Sequence, residues 1–252
     1  MEAYSADRSL KGKVRRRWAR LVDRRSSGVS LERPMVSFSF DDAPQSAAQA
    51  GAALLEARGL RGTYFISAGL AGEDGPMGRN ASLHEVKRLS DAGHEIACHT
   101  WSHLDCGQAG AEEADLDAER NRETLLQAGL PNPSTFAYPY GDVSIPAKRR
   151  LGERFALLRA LHHGLVDGRA DLNQAPAVGI EGPGGEALAH RWMNRAKARR
   201  AWLILYTHDV CDSPSAWGCT PTTLEGLIAR AFNENFEVVT VADGCRRIGA
   251  LR

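Results

Sequence analysis

The sequence predicts an α/β fold in which parallel strands and helices alternate and close, or nearly close, into a barrel. Strand-like runs followed by helical patterns recur about seven times, which is the arrangement that crossover helices between parallel strands produce. The chain has 252 residues, a length that suits one α/β barrel. Its composition, 43% hydrophobic and 25% charged, is that of an ordinary globular protein and excludes a disordered or fibrous one.

The predicted units follow one another from residue 35 onwards. In chain order, each strand and its helix are 35–40 with 44–59, 62–67 with 82–93, 94–98 with 109–129, 135–140 with 144–155, 177–180 with 185–200 and 202–208 with 220–235, before a last strand at 236–241. Gly93 and Gly129 follow helical patterns, as C-terminal caps do. Pro44 and Pro221 stand where helices begin, because the first turn does not need their missing N–H.

A basic segment precedes these units and is expected to form a separate arm over residues 1–30, with the barrel domain at 31–252. Residues 8–25 hold nine Lys or Arg and one acid, Asp23. Apolar residues recur there at helical spacing and predict one amphipathic helix: Val14, Trp18, Leu21 and Val22. The favoured interpretation is a helix packed across the end of the barrel with its arginines in solvent. Peripheral contact with an anionic membrane is the second, and nucleic-acid binding is the least favoured.

The sequence also predicts the cellular location of the protein. No secretory signal and no membrane-spanning stretch is recognisable, so a cytoplasmic protein is expected, with peripheral membrane contact as an addition. Five scattered cysteines without a CxxC pair indicate neither a disulfide framework nor a zinc ribbon.

Four polar clusters stand directly after predicted strands. They are Asp41-Asp42, His99 in HTWSH, the segment 138–142, and His208. In a barrel these strand ends meet on one face, where active sites are built. Each cluster alone has a structural alternative, such as a helix N-cap for Asp42 or a hydrogen-bonded core group for a single His. Their coincidence at four strand ends favours a functional site.

The residue types at these ends suit metal-dependent hydrolysis. Two neutral imidazoles and one carboxylate form a catalytic site for Zn²⁺ or another borderline divalent ion. The second carboxylate is then available as a general base. A histidine that arrives from the opposite side, His208, is placed to donate a proton to a leaving group.

Four segments together resemble the motifs of polysaccharide deacetylases, the carbohydrate esterase family 4 with the nodulation-protein-B homology domain. The segments are FDDAP at 40–44, HTWSH at 99–103, FAYPYG at 136–141 and LYTH at 205–208, and the resemblance extends over about residues 35–245. It implies a single-domain, distorted (β/α)7-8 barrel related to the TIM barrel. It also implies removal of N-acetyl groups from a hexosamine of a polysaccharide or of its lipid-linked precursor.

The resemblance further implies roles for individual residues. Asp41 is the general base, His208 is the general acid, and the backbone N–H of Tyr140 stabilises the oxyanion. The expected metal ligands are Asp42, His99 and His103, around one divalent ion, with zinc expected first and cobalt, nickel or manganese as alternatives. The residues expected to contact substrate are Trp217, Tyr138, Pro139 and Gly141.

The chain departs from the family pattern at two places. Ala43 stands where the family usually has glycine, and we expect it to need only an ordinary backbone angle. Ala137 stands where many members have an arginine that pairs with the catalytic base. The partner of His208 is also open, because Asp171, Asn173 and Glu181 are all candidates.

These departures leave rival functions. One is hydrolysis of a small amide or cyclic ureide at the same site. The other is a non-catalytic glycan-binding protein, which the absent arginine makes conceivable although Asp41 is retained.

Overall fold

The computed structural model describes residues 10–26 and 28–251. Ten strands occur in this part of the chain: β1 Met35–Asp41, β2 Thr63–Ile66, β3 Asp74–Gly75, β4 Gly78–Arg79, β5 Glu95–Cys98, β6 Thr135–Ala137, β7 Leu157–Arg159, β8 Val178–Gly179, β9 Trp202–Thr207 and β10 Glu237–Val238. The strands β3 and β4 form a small antiparallel hairpin. All the others belong to one parallel sheet, as the alternation of strands and helices predicts.

The parallel sheet curls into a barrel. Its strand order is β7-β6-β5-β2-β1-β9-β8, and β10 pairs with the first residues of β1. The chain just before β8 bridges the two ends of this order, because Ala175 exchanges backbone hydrogen bonds with Leu158 and Ala160 on the β7 side. The predicted distorted barrel is therefore confirmed.

Eight α-helices flank the sheet in the described residues. They are α1 Leu10–Ala19, α2 Ala52–Glu56, α3 Leu83–Asp91, α4 Ala111–Gln127, α5 Ile145–Gly152, α6 Gly182–Arg199, α7 Pro221–Asn233 and α8 Val241–Arg247. A short π-helix, Ala47–Gly51, leads into α2. Among the described residues, no helix has the length and apolar character that crossing a bilayer requires.

Successive side chains of a strand point to opposite faces of the sheet, so they join two different hydrophobic clusters. In β1, Val36, Phe38 and Phe40 pack outward against the helices. Met35 belongs instead to a cluster that also contains Phe65, the inner side of the barrel. Because strand side chains alternate, Asp41 is on the same side as Met35 and faces the barrel interior.

The structure corrects three predicted elements. Strand β7 was not predicted, because its three residues lie in a stretch that continues the pattern of the preceding helix. The predicted strand at 236–241 is strand only at Glu237–Val238, since Thr240 accepts a hydrogen bond from Asp243 N and caps α8 instead. The predicted helix at 44–59 begins as a π-helix.

The arm helix packs differently from the favoured interpretation. It docks on the barrel beside α5, with Ala19 fully buried. The predicted apolar stripe, however, does not cover the barrel: Val14, Trp18 and Leu21 are among the most exposed large apolar side chains in the structure.

Candidate active site

The functional candidates lie at the carboxyl ends of neighbouring strands. Asp41 is the last residue of β1, His99 follows β5, and His208 follows β9. The pairing of Phe40 with Thr207 sets Asp41 and His208 at the same level of the barrel. Four predicted clusters, separated by up to 167 positions in the chain, thus meet on one face.

Asp42, His99 and His103 form a compact group of potential metal ligands, with one ligand atom from each within 4.8 Å of the others. Asp42 Oδ1 lies 3.7 Å from His99 Nε2 and 3.4 Å from His103 Nε2. Donor atoms around a tetrahedral zinc ion with bonds of about 2.1 Å are roughly 3.4 Å apart. Asp42 Oδ1 is also buried and accepts no hydrogen bond from the described residues, so the donor set fits a divalent ion.

The protonation of His99 supports the same assignment. Its Nδ1 lies 2.8 Å from the carbonyl oxygen of Ala137 and must donate there, which leaves Nε2 unprotonated and directed at Asp42. Burial, followed by the charge of His103, lowers the pKa of His99 to about 4. The imidazole is therefore neutral at neutral pH, which is the form that binds metals.

Asp41 makes a buried ion pair that the sequence analysis missed. Arg159 Nη2 lies 2.5 Å from Asp41 Oδ2, and the arginine side chain is fully buried. Burial alone would raise the pKa of Asp41, but Arg159, followed by His99 and His208, outweighs burial and holds the pKa below its ordinary value. Asp41 Oδ1 accepts no hydrogen bond from the described residues and remains available for a proton.

Arg159 stands in for the arginine that is absent at Ala137. The two residues are direct partners across the β6–β7 pair, so their side chains leave the sheet on the same side and at the same level. The guanidinium lies 5.0 Å from the ring centroids of Phe65 and Tyr206, which line its path to Asp41. The charge beside the base is therefore retained, and its source has moved by one strand.

His208 is held by Glu181, one of its three candidate partners. His208 Nδ1 lies 3.1 Å from Glu181 Oε1 and 3.2 Å from the carbonyl oxygen of Trp217. Burial alone would lower the pKa of His208, but its pairing with Glu181, followed by the charges of Asp41 and Asp42, raises it to about 9. With Nδ1 engaged by these acceptors, Nε2 is the nitrogen that can face a substrate.

The other two candidates for this role lie elsewhere. Asp171 pairs with Lys148 at 2.5 Å. The Asn173 side chain donates to the carbonyl oxygen of Asp23 in the arm.

The site is rich in strained backbone. Eight non-glycine residues have positive φ in the described chain, and five of them lie in the site motifs: Asp42, Ala43, Thr100, His103 and Tyr140. Such conformations persist where surrounding contacts fix them, and they concentrate at functional sites. Ala43 has φ 44°, so our expectation of an ordinary angle there is wrong, and alanine occupies a conformation that favours glycine.

The expected substrate-contacting residues divide into two groups. Trp217 is 46% exposed and stands beside His208. The side chains of Tyr138 and Pro139 are buried, and the Tyr138 hydroxyl donates to Asn173 O. Contact of these residues with substrate stays a prediction, and it would have to involve their backbone atoms. Gly141 has φ 67°, and a Cβ there would collide with Leu161, so its need for glycine is structural.

Comparison with known proteins identifies the family. The family model described as polysaccharide deacetylase matches residues 28–153, half of the chain. The chain belongs to the polysaccharide deacetylase family. These enzymes are hydrolases that act on N-acetyl amide groups. No curated protein matches the sequence.

Solved structures agree on the fold. A Mycobacterium smegmatis protein assigned as a polysaccharide deacetylase superposes with a TM-score of 0.68 at 16% identity, over 90% of this chain and 96% of that one. The chitin deacetylase of the fungal pathogen Colletotrichum lindemuthianum gives 0.61 at 17% identity, over 86% and 89%. The peptidoglycan deacetylase PdaC of Bacillus subtilis, as a D285S mutant, gives 0.59 at 15% identity, over 88% and 94%.

Proposed function

We propose that this polysaccharide deacetylase is a metal-dependent enzyme that removes the N-acetyl group from a hexosamine of a polysaccharide or of its lipid-linked precursor. The observation that carries the proposal is the arrangement of adjacent carboxylates. Asp42 stands with His99 and His103 as a ligand group, whereas Asp41 is paired with Arg159. One carboxylate is therefore available to a metal and the other to a proton.

Asp42, His99 and His103 would hold the ion, with zinc expected first and cobalt, nickel or manganese as alternatives. A bound divalent ion would supply Lewis acidity to the acetyl carbonyl and lower the pKa of a water. Asp41, ionised because Arg159 lowers its pKa, takes the proton of the attacking water through Oδ1. The carbonyl oxygen becomes negative in the transition state, and the backbone N–H of Tyr140 is the proposed donor to it.

His208 completes the reaction as the general acid. Its raised pKa keeps it protonated at neutral pH, and Nε2 gives its proton to the departing amine as the C–N bond breaks. The products are acetate and a free amino sugar. Trp217, exposed beside His208, is the proposed surface for stacking of a sugar ring.

The retained base argues against a purely glycan-binding protein, because binding does not require a carboxylate with a free oxygen beside a ligand group. The side chains of the proposed site also reach solvent, as the proposed substrates require. The side chains of His103, Asp42 and His208 are 17%, 12% and 15% exposed, so all three reach the surface.

The proposal is tested by acetate release from N-acetylglucosamine oligomers, from lipid-linked N-acetylhexosamines, and from small amides and cyclic ureides as competing substrates. We expect release from a glycan substrate, its loss on chelation, and its recovery when Zn²⁺ or Co²⁺ is restored. Asp41→Asn is expected to abolish it, whereas the matched change Asp212→Asn, at an exposed position beyond His208, is expected to preserve it. Turnover of small amides alone, or release that neither chelation nor Asp41→Asn reduces, would overturn the proposal.

A further inference from the structure

The arm helix α1 is fixed to the barrel by polar contacts along one side. Arg15 Nη2 lies 2.8 Å from Asp142 Oδ2. At the carboxyl end of the helix, Lys148 Nζ donates to the carbonyl oxygens of Ala19 and Val22, at 2.7 and 2.8 Å. Lys148 is fully buried and pairs with Asp171, so these contacts hold α1 in one orientation.

That orientation turns the apolar residues of α1 away from the barrel. At about 100° per residue, Val14 and Trp18 lie on the side of α1 away from Ala19, and Leu21 follows the end of the helix. They are 59%, 58% and 62% exposed, whereas Ala19 is fully buried. Apolar side chains grouped this way on one surface indicate an interaction site rather than scattered exposure.

A positively charged cavity of about 200 Å³ lies beside this surface. Its charged and titratable lining consists of Arg20, Arg24, Arg169, His162, His163 and Asp171. The single carboxylate, Asp171, is already paired with Lys148. His162 Nδ1 is buried and has no hydrogen-bond partner among the described residues. The cavity thus presents three guanidinium groups, of which that of Arg24 also donates to the carbonyl oxygen of Arg169, and this positive charge suits an anion.

We infer that α1 and this cavity form a docking surface for an anionic phospholipid bilayer. Val14, Trp18 and Leu21 enter the interfacial region, where tryptophan is favoured because its ring is amphipathic. Arg17, exposed on the same side of the helix, pairs with lipid phosphates. The cavity lined by Arg20 and Arg24 takes a phosphodiester headgroup.

The charge of this segment favours a bilayer over a protein partner. Residues 8–25 contain one acid, Asp23, and the side chains of Arg17, Arg20 and Arg24 are exposed. A basic, amphipathic segment binds anionic lipid by combining apolar burial with electrostatic attraction. The surface also lies next to the catalytic face. Asp142, the partner of Arg15, is two residues beyond Tyr140, so one contact of the arm lies close in the chain to a residue of the proposed site.

The inference is tested by co-sedimentation of the full chain with vesicles, independently of deacetylation. We expect binding to phosphatidylcholine vesicles that contain phosphatidylglycerol and little binding to phosphatidylcholine alone. The double variant Trp18→Ala/Leu21→Ala and the double variant Arg17→Gln/Arg20→Gln are each expected to weaken binding roughly tenfold or more. The first removes apolar side chains that enter the interfacial region, and the second removes two charges that attract anionic lipid.

Matched control variants make the same changes elsewhere. Leu126→Ala/Phe232→Ala removes two exposed apolar side chains, and Arg191→Gln/Arg199→Gln removes two exposed charges of α6. Both are expected to bind as the wild type does, and circular dichroism verifies that every variant is folded. Equal losses in test and control variants, or no preference for the anionic lipid, would overturn the inference. Binding of a DNA duplex by the wild type without vesicle binding would overturn it in favour of a nucleic-acid surface.

Discussion

The proposed base, Asp41, and the proposed acid, His208, are each paired with a side chain of opposite charge. We call these two pairs the base side and the acid side of the site. On the base side, the cation Arg159 reaches Asp41 from β7 and lowers its pKa. On the acid side, the anion Glu181 reaches His208 from just beyond β8 and raises its pKa to about 9. Neighbours that push two pKa values apart define which group is base and which is acid. The opposite charges of Arg159 and Glu181 therefore support the roles that we propose for Asp41 and His208.

The two sides differ in how the positioning residue is held. The Arg159 side chain is fully buried in the barrel, so its removal leaves the carboxylate of Asp41 without a buried counterion. Glu181 is 22% exposed, and water can partly replace it. We therefore expect the base side to be the more sensitive of the two.

The largest effect is expected on the base side. Arg159→Leu should lower kcat roughly 10- to 100-fold, the size of effect seen when a residue that supports a metal ligand is removed. It should also raise the pKa of Asp41, because the carboxylate loses its strongest favourable charge, so the acidic limb of the pH profile should move to higher pH. The measurement is the pH dependence of kcat for acetate release.

A second substitution sharpens this prediction. Since Ala137 and Arg159 are paired across two strands, adding Ala137→Arg to Arg159→Leu returns a guanidinium from the position that the family commonly uses. We expect the double variant to recover at least part of the lost activity and to restore the acidic limb. No recovery in a folded double variant would mean that Arg159 does more than supply charge to Asp41.

A smaller effect is expected on the acid side. Glu181→Gln removes the anion that raises the pKa of His208, so the pKa falls and His208 loses its proton at a lower pH. The alkaline limb of kcat should move to lower pH while activity in mildly acidic solution is largely preserved. An unchanged alkaline limb would exclude His208 as the proton donor that sets it.

The smallest effect is expected at Trp217, the exposed ring beside His208. Trp217→Ala removes an exposed ring whose stacking on a sugar contributes about 1 kcal/mol, so KM for glycan oligomers should rise roughly fivefold with kcat little changed. The backbone carbonyl that faces His208 remains in the variant. A fall in kcat with KM unchanged would show that the ring positions His208 rather than substrate.

The sequence predicted the residues at the ends of strands that could be recognised and missed Arg159, whose strand was not. Asp41, His99 and His208 follow runs of buried residues, and parallel strands bring their ends together. Arg159 belongs to a three-residue strand within a charged stretch, and only the lateral pairing of β6 with β7 gives it a role. Glu181 was one of three candidates, because sequence does not specify the path of the chain between residues 160 and 181.

The arm shows a second limit of prediction from sequence, which is the orientation of a helix. Its apolar periodicity predicted a helix through Val14, Trp18, Leu21 and Val22, and α1 confirms it only as far as Ala19. Periodicity identifies an apolar face without specifying what covers it, and here the buried ammonium of Lys148 binds the opposite side of the arm. The direction in which Trp18 points was therefore decided by polar contacts more than 100 residues apart in the chain.

The division of labour between Asp41 and Asp42 is tested most directly by titrating Zn²⁺ into the metal-free wild type, Asp41→Asn and Asp42→Asn while acetate release is followed on the same samples. We predict one bound ion in the wild type, retention of that ion without activity in Asp41→Asn, and loss of both in Asp42→Asn. Equal metal affinity in the two variants, or an active Asp41→Asn enzyme, would contradict it.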